Sequence, residues 1–159
     1  MGREVIRIYV DTSVFGGVFD REFAEASRVF FDQAYRGTFC LVTSGLVEEE
    51  IRKAPSEVQT LFDKILDRTE VVEATEEAIS LQSAYLAAGI VSERYASDAL
   101  HVAVATVAKC GVLVSWNFKH IVHFQKVPKY NAVNVLKGHA AIAIWTPLEV
   151  IGSEEDEEV

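Results

Sequence analysis

Residues 5–13 read VIRIYVDTS, and this stretch decides the fold. A run of β-branched and apolar residues that stops at a carboxylate predicts a buried strand whose C-terminal end carries Asp11. Open α/β sheets bind their ligands at that end of the strands. Asp11, Thr12 and Ser13 are also residue types that cap helices, so this stretch alone does not distinguish a functional acid from a cap.

The composition limits the class of protein. The chain has 159 residues, and we expect one domain at residues 1–151, followed by a disordered acidic tail at residues 152–159. Cys40 and Cys110 are far apart in apolar surroundings, which favours buried free thiols in a cytoplasmic protein. The first residues lack the apolar core of a signal peptide, and no stretch reaches the roughly 18 apolar residues of a membrane span.

Charge is distributed unevenly along the chain. The net charge of −9 by itself disfavours nucleic acid as a partner. Residues 1–98 carry 10 Lys and Arg against 18 Asp and Glu, residues 99–148 carry 5 Lys and no acid, and residues 149–159 carry 6 acids. A purely basic block therefore lies within an acidic protein.

Apolar patterns alternate between the periods of strands and helices. Strands are predicted at residues 5–10, 39–43, 70–72, 112–115 and 141–145. Residues 96–108 are apolar around most of a helix circumference and predict a central buried helix. Gly16 and Gly17 predict a flexible turn, and residues 126–138 predict a loop with one helical turn. The alternation predicts an α/β fold, a three-layer α/β/α sandwich around a parallel sheet of about four to five strands.

Other acids are placed where they can meet Asp11. Glu50 follows the second strand on a predicted helix and shares the inward stripe of that helix, although a rim-exposed position fits the pattern equally well. Asp98 starts the central helix, where it either binds a ligand or satisfies free helix N–H groups. His101, one turn later, is more typical of a buried, hydrogen-bonded histidine than of a ligand, and we expect it to support the site from behind.

Asn117 and Ser44 come at the ends of other predicted strands. Because the C-terminal ends of parallel strands meet at one edge of a sheet, the polar residues there are expected to converge. The converging candidates are Asp11, Glu50, Asp98 and Asn117. Their oxygen atoms form a donor set suited to a hard cation such as Mg²⁺ or Mn²⁺.

Other chemistries have weaker support. His120 and His123 form an HxxH pattern without a nearby Cys or acid, which is a poor zinc site. The chain contains neither of the glycine-rich phosphate loops GxxxxGKS/T and GxGxxG, nor the nucleophile elbow GxSxG. Ser13 stands where a DxDxT phosphatase would need a second Asp.

The stretches that carry the candidate residues resemble those of a known family. They are YVDTSVF at residues 9–15, SGLVEEEI at 44–51, SDALHVAVA at 97–105 and LVSWNFKHI at 113–121. In order and spacing the chain resembles the PIN-domain ribonucleases, and within them the VapC type of toxin, over almost all of residues 5–150.

The resemblance implies a PIN-like fold in which Asp11, Glu50 and Asp98 bind a divalent metal. The fourth position of the family is commonly Asp, whereas this sequence has Asn117, which lowers the charge of the site by one. The implied activity is Mg²⁺- or Mn²⁺-dependent hydrolysis of RNA phosphodiesters by an endoribonuclease, with all of these residues catalytic. The implied partners are a small antitoxin protein and a second copy of the chain in a homodimer.

Further residues are expected to bind the RNA substrate, namely Thr12, Ser44, Ser115, Lys119 and His120. The basic block supplies additional candidates for the phosphate backbone, which are Lys126, Lys129, Lys137 and His123. Trp116, Phe118 or Tyr130 are candidates for stacking on bases. Lysines of a solvated surface and aromatic residues of a core would give the same pattern.

Alternative functions remain open. One is a non-catalytic PIN-like domain that binds RNA or protein and has lost metal affinity at Asn117. Another is a stand-alone RNA-processing nuclease without an antitoxin. A metal-dependent phosphatase has less support, because no Lys or Thr set suited to holding phosphate follows a strand.

Overall fold

The computed structural model describes residues 5–156, with side chains up to residue 152. The strands are β1 (Arg7–Val10), β2 (Cys40–Ser44), β3 (Thr69–Val72), β4 (Val112–Val114) and β5 (Ala143–Trp145). The helices are α1 (Thr12–Gly17), α2 (Ala24–Tyr35), α3 (Gly45–Ile51), α4 (Ser56–Leu66), α5 (Glu76–Ala87), α6 (Ala96–Val107), α7 (Lys126–Leu136) and α8 (Pro147–Asp156), with a 3₁₀ turn at Glu93–Tyr95. Among these described helices, none combines the length and apolar character that crossing a membrane requires.

Strand β1 is the centre of a five-stranded parallel sheet in the order β3-β2-β1-β4-β5. Its residues Ile8, Tyr9 and Val10 are buried, as expected for a strand covered on both faces. The chain builds outward from β1 to β3 and then returns to the other side of β1 for β4 and β5. The strand order therefore reverses between β1 and β4, and open α/β sheets form their ligand crevice at such a switch point.

Helices cover both faces of the sheet. Helix α5 packs on α6 and α7 on one face, whereas α1 packs on α2, α3 and α4 on the other, and α8 returns to α2. In α6 the side chains of Ala99 and of residues 101–106 are buried, which confirms the prediction of a central buried helix. The predicted three-layer α/β/α fold is thereby confirmed.

The prediction of a loop at residues 126–138 is wrong, because α7 is a regular helix of 11 residues. Pro128 lies in its first turn, where a proline costs no intrahelical hydrogen bond. The buried stripe of α7 contains Tyr130 and the polar Asn134. Asn134 accepts a hydrogen bond from the Tyr85 hydroxyl and donates to Thr106 Oγ1 at 3.3 Å. Because the polar Asn134 occupies a core position, the sequence lacks the regular apolar spacing from which a helix is predicted.

The prediction of a flexible turn at Gly16 and Gly17 is also wrong, because both residues belong to α1. A Cβ atom on Gly17 would lie 2.7 Å from Ser27 Oγ and 2.7 Å from Trp116 Nε1. Glycine is therefore present for close packing of α1 against these side chains rather than for a turn.

The two cysteines differ in burial. Both cysteines are free, and Cys110 is buried, but Cys40 is exposed, so the expectation of burial is wrong for Cys40. Burial raises the pKa of the Cys110 thiol to about 11.

The acidic tail was predicted to be disordered from residue 152 onward, whereas α8 continues to Asp156. Residues 157–159 lie outside the described part of the chain.

Candidate metal centre

Asp11 lies at the switch point of the sheet, directly after β1. Its backbone N–H donates to Val114 O at 3.0 Å and so ties the end of β1 to β4. Its side chain is only 6% exposed and makes no capping bond to α1. Instead, Oδ2 accepts hydrogen bonds from Ser13 Oγ at 2.7 Å and from Ser115 Oγ at 2.8 Å. The carboxylate is thus held by Ser13 in the first turn of α1 and by Ser115 after β4, and it does not cap the helix.

Glu50 reaches the same crevice from α3. Its Oε1 lies 2.6 Å from His101 Nε2 and accepts a hydrogen bond from Thr12 Oγ1 at 2.7 Å. His101 Nε2 is in turn 3.5 Å from Asp11 Oδ1. One donor atom each of Asp11, Glu50 and His101 lies within 4.8 Å of the other two. These residues form what we call the inner group, and their donor atoms are close enough together to hold one cation.

A chain of buried hydrogen bonds supports His101 from behind. Tyr9 Oη lies 2.8 Å from His101 Nδ1 and 2.7 Å from Ser44 Oγ, and Ser44 Oγ also accepts the N–H of Val47 at 3.3 Å. Burial raises the pKa of Tyr9 well above its usual value, so the hydroxyl stays protonated. A consistent assignment has Nδ1–H donating to Tyr9 and the Tyr9 hydroxyl donating to Ser44. This arrangement fixes the imidazole ring with Nε2 facing the carboxylates.

The inner group is electrostatically coupled. Burial alone raises the pKa of Glu50, but the hydrogen bond and charge of His101 and the hydrogen bond from Thr12 outweigh it, so the pKa lies below its usual value. Burial lowers the pKa of His101, and the charge of Asp11 with the hydrogen bond to Glu50 more than reverses this. Without an ion, the ring therefore balances part of the negative charge of the acids.

Asp98, Asn117 and His120 form what we call the outer group, on the more open part of the crevice. Burial and the charge of Asp11 raise the pKa of Asp98, although a hydrogen bond from Asn117 partly opposes this. Asn117 Oδ1 also accepts the N–H of His120 at 3.0 Å. Within the described residues, Asp98 is not part of the cluster that holds Asp11, Glu50 and His101 within one ligand distance. Asn117 therefore links Asp98 to the loop after β4.

The predicted substrate residues fall into two classes. Ser44 and Ser115 are fully buried, and their hydroxyls are bonded to Tyr9 and Asp11. Thr12 is half-buried, and its hydroxyl is bonded to Glu50. Lys119 is exposed and His120 is half-exposed. The structure thus places Thr12 and Ser115 against the acids, Ser44 behind Tyr9, and the basic residues at the rim.

Two of the aromatic residues predicted to stack on bases are buried. Trp116 stacks on Phe23 at a centroid distance of 4.3 Å, and its Nε1–H donates to Ser27 Oγ at 2.9 Å. Tyr130 is fully buried and donates its hydroxyl to His120 O at 2.7 Å. The prediction is therefore wrong for Trp116 and Tyr130. Phe118 is 48% exposed.

Comparison with known proteins finds solved structures of similar fold. No protein-family model matches the chain, and no curated protein matches it either. VapBC2 from Rickettsia felis bound to a DNA fragment from its promoter gives a TM-score of 0.59 at 14% identity over 87% of this chain and 97% of that chain. By fold, the chain is of the VapC/PIN type.

Other complexes give the same result for the VapC/PIN type of fold. FitAcB from Neisseria gonorrhoeae has a TM-score of 0.59 at 13% identity, over 89% of this chain and 98% of that chain. VapBC-1 from nontypeable Haemophilus influenzae has a TM-score of 0.59 at 12% identity, over 90% of this chain and 99% of that chain. At these identities the likeness concerns the fold.

On this VapC/PIN-type scaffold, sequence reasoning missed the inner position of His101 and the residues behind it. A signal was present in each case. Tyr9 precedes Asp11 by two positions, so both side chains point to the same face of the strand. His101 is three residues after Asp98 in an otherwise apolar helix, so the two lie on one helix face. The polar tips of Tyr9 and His101 therefore pointed to the same edge of the sheet as the acids.

Proposed function

We propose that the protein is a divalent-metal-dependent endoribonuclease that hydrolyses RNA phosphodiesters and acts as the toxin of a toxin–antitoxin pair. The observation that carries the proposal is the inner group at the switch point of a VapC/PIN-type fold. Buried carboxylates are costly unless they are paired or bind a metal. The Asp11 side chain is 6% exposed and has no Lys or Arg partner among the ion pairs of the described residues. The His101 ring balances only part of its charge, so a cation would complete the balance.

The chain itself supplies orientation and proton transfer. Ser13 and Ser115 hold the Asp11 carboxylate, and Thr12 holds that of Glu50. The family resemblance implies Asp98 as a third metal ligand, but Asp98 lies outside the cluster of Asp11, Glu50 and His101, and we assign it another role. Its raised pKa makes it a stronger base than an ordinary carboxylate, suited to accepting a proton from the attacking water. When bound, Mg²⁺ or Mn²⁺ supplies positive charge that activates this water and stabilises the leaving oxygen.

The rim of the crevice supports RNA as the substrate. Lys119 is exposed next to the outer group, and Lys129 and Lys137 are exposed on and after α7. Lys126 is less free, because its Nζ donates to Ile90 O at 2.9 Å. Cationic side chains that neutralise phosphates supply most of the sequence-independent affinity for nucleic acid. We assign phosphate contacts to Lys119 and His120 and base stacking to Phe118. Ser115 positions Asp11, and Ser44 positions His101 through Tyr9.

The proposal includes an antitoxin, a homodimer and a cytoplasmic location. The VapBC and FitAcB structures with the same fold contain two kinds of protein, which supports a small antitoxin as partner. The free thiols of Cys40 and Cys110 agree with a reducing compartment. A short reading frame next to the gene whose product relieves growth arrest by this chain would support the toxin assignment. Cleavage of RNA without any such partner would instead favour a stand-alone nuclease.

The nuclease proposal is tested by RNA cleavage with Mg²⁺ or Mn²⁺, before and after addition of EDTA. We expect cleavage that stops on chelation and is lost in Asp98→Asn. Glu49→Gln is the matched control, because Glu49 is exposed on α3 and loses one charge in the same way. Cleavage that survives EDTA would contradict the metal mechanism, and cleavage that survives Asp98→Asn would contradict the role of Asp98 as the base.

A second candidate is a non-catalytic RNA- or protein-binding domain. It is favoured by the contact of 2.6 Å between His101 and Glu50, which balances charge in the crevice without an ion. Calorimetric titration with Mn²⁺ separates the two candidates. Absence of binding at millimolar Mn²⁺ would favour the non-catalytic domain.

A further inference from the structure

We propose that His101 Nε2 is a direct ligand of the cation, so that the inner group offers two carboxylates and one imidazole and prefers Mn²⁺ to Mg²⁺. The proposal deepens the proposed function and shares with it the assumption that the crevice binds a divalent cation. Imidazole nitrogen favours first-row transition ions, whereas Mg²⁺ favours an all-oxygen environment. The identity of the inner ligand therefore decides which ion the protein selects.

The spacing of the donor atoms fits a shared ion. Ligands at about 2.0–2.2 Å from an ion lie about 3 Å from one another when they are adjacent. His101 Nε2 is 2.6 Å from Glu50 Oε1 and 3.5 Å from Asp11 Oδ1, which brackets this value. The inner group is therefore arranged like ligands around one cation, and His101 is a member of it.

The surroundings of His101 are those of a ligand. A metal-binding histidine nearly always donates its other ring N–H to an oriented acceptor. His101 Nδ1 has such a partner in Tyr9 Oη at 2.8 Å, and Ser44 holds Tyr9 in place at 2.7 Å. The His101 ring is completely buried, and its Nε2 faces Asp11 and Glu50.

The outer group explains why the imidazole, and not Asp98, fills the inner position. The Asn117 side chain hydrogen-bonds Asp98 and is itself anchored to the loop after β4 through His120 N–H. Asp98 is therefore tied to the outer group and lies outside the cluster formed by Asp11, Glu50 and His101, and we assign it to the water or the substrate.

The test is pulsed electron paramagnetic resonance of the full chain loaded with Mn²⁺. We expect electron spin echo modulation from a directly bound ¹⁴N nucleus, and loss of that modulation in His101→Gln. Calorimetry should show that the wild type binds Mn²⁺ at least about 10-fold more tightly than Mg²⁺, and that His101→Gln loses most of this preference. Bound Mn²⁺ without ¹⁴N modulation in the wild type would overturn the proposal.

Tyr9→Phe provides a variant that keeps the imidazole. It removes the hydroxyl behind Nδ1, and loss of such a partner weakens metal binding by about 10- to 100-fold. The ¹⁴N modulation should persist at saturating Mn²⁺. Tyr85→Phe is the matched control, because it also removes a buried hydroxyl, which is bonded to Asn134. Equal Mn²⁺ affinity in Tyr9→Phe and Tyr85→Phe would contradict the role of the Tyr9 hydroxyl, even if His101→Gln does not fold.

The outcomes separate this proposal from the nuclease proposal. Mn²⁺ binding with ¹⁴N modulation but no RNA cleavage would uphold His101 as a ligand and contradict the nuclease. Metal-dependent cleavage without ¹⁴N modulation would support the nuclease and contradict His101 as a ligand. Absence of any Mn²⁺ binding at millimolar concentration would overturn both.

Discussion

The inner and outer groups face the same crevice but differ in their hydrogen-bond partners and in charge balance. The inner side chains of His101 and Asp11 are 0% and 6% exposed, whereas that of Glu50 is 34% exposed, and each of the three makes two hydrogen bonds. The outer residues Asp98 and Asn117 are half-buried, as Glu50 is, and border the exposed rim. A group whose two innermost members are buried suits an ion that remains in place. A half-open group beside cationic side chains suits a substrate that binds and leaves.

The pKa values show the same difference. His101 and Thr12 bring the pKa of Glu50 below its usual value, whereas burial and the charge of Asp11 raise the pKa of Asp98. The inner acid is therefore stabilised in its charged form by the protein, and the outer acid is not. From this contrast we expect substitutions in the inner group to affect metal binding, and substitutions in the outer group to affect mainly the reaction.

The largest effect is expected for Asp11→Asn. The change removes a buried charge from the inner group, so Mn²⁺ binding and RNA cleavage should fall together, cleavage by about 1,000-fold or more. Calorimetry and an RNA cleavage assay measure the two quantities. Asp20→Asn is the matched control, because Asp20 is exposed just after α1. Cleavage within about 10-fold of the wild type in Asp11→Asn would contradict an inner metal site.

Asp98→Asn is expected to separate the two groups. Cleavage should fall by about 100- to 1,000-fold, because the base for the attacking water is lost. Mn²⁺ affinity should change by less than about 10-fold, because the inner ligands remain. If Asp98→Asn abolishes Mn²⁺ binding as completely as Asp11→Asn, the distinction between the groups is wrong.

Asn117→Asp is expected to change the number of ions bound. A second carboxylate next to Asp98 loses the amide hydrogen bond and adds like-charge repulsion, so the melting temperature in EDTA should fall. Added Mn²⁺ should restore it, and the calorimetric stoichiometry should rise from one ion toward two. Asn117→Ala controls for loss of the amide alone. An unchanged stoichiometry in Asn117→Asp would show that the outer group does not contact metal.

The smallest effect is expected at the rim. Lys119→Ala should weaken RNA binding by about 3- to 10-fold and reduce its salt dependence, because one phosphate contact is lost. Lys64→Ala is the matched control, because Lys64 is an exposed lysine on α4. Binding measured at several salt concentrations checks both. If RNA affinity depends on salt concentration equally in the two variants, Lys119 does not contact RNA.

Much of the fold was predictable because strands and helices here follow simple patterns. Residues 8–10 before Asp11 are buried as predicted, although Val5 and Ile6 are exposed, and Ser44 and Thr75 cap helices as their residue types suggest. The pattern failed where polar residues enter the core, as Asn134 does in α7, and where glycine serves packing, as Gly17 does in α1. In both cases the deciding contact comes from a distant element, which local periodicity does not contain.

The site was predictable to the level of elements but not of individual contacts. Asp11 and Asn117 follow strands β1 and β4, and parallel strands necessarily bring such positions to one edge. Whether Asp98 or His101 is nearer to Asp11 depends on the rotation of α6 by a fraction of a turn. That rotation is set by packing around the helix, so the sequence placed both residues near the crevice without ranking them.

The pairing of β1 with β4 has a consequence for synthesis of the chain. Ser115, which holds the Asp11 carboxylate, lies 104 residues downstream of it. A ribosome that adds about 5–20 residues per second needs about 5–20 s to cover that distance. During this interval the nascent chain contains Asp11 but lacks the strand that completes the crevice. On the proposed function, the chain would therefore be inactive while it is being translated, and the proposed antitoxin would be needed only once synthesis ends.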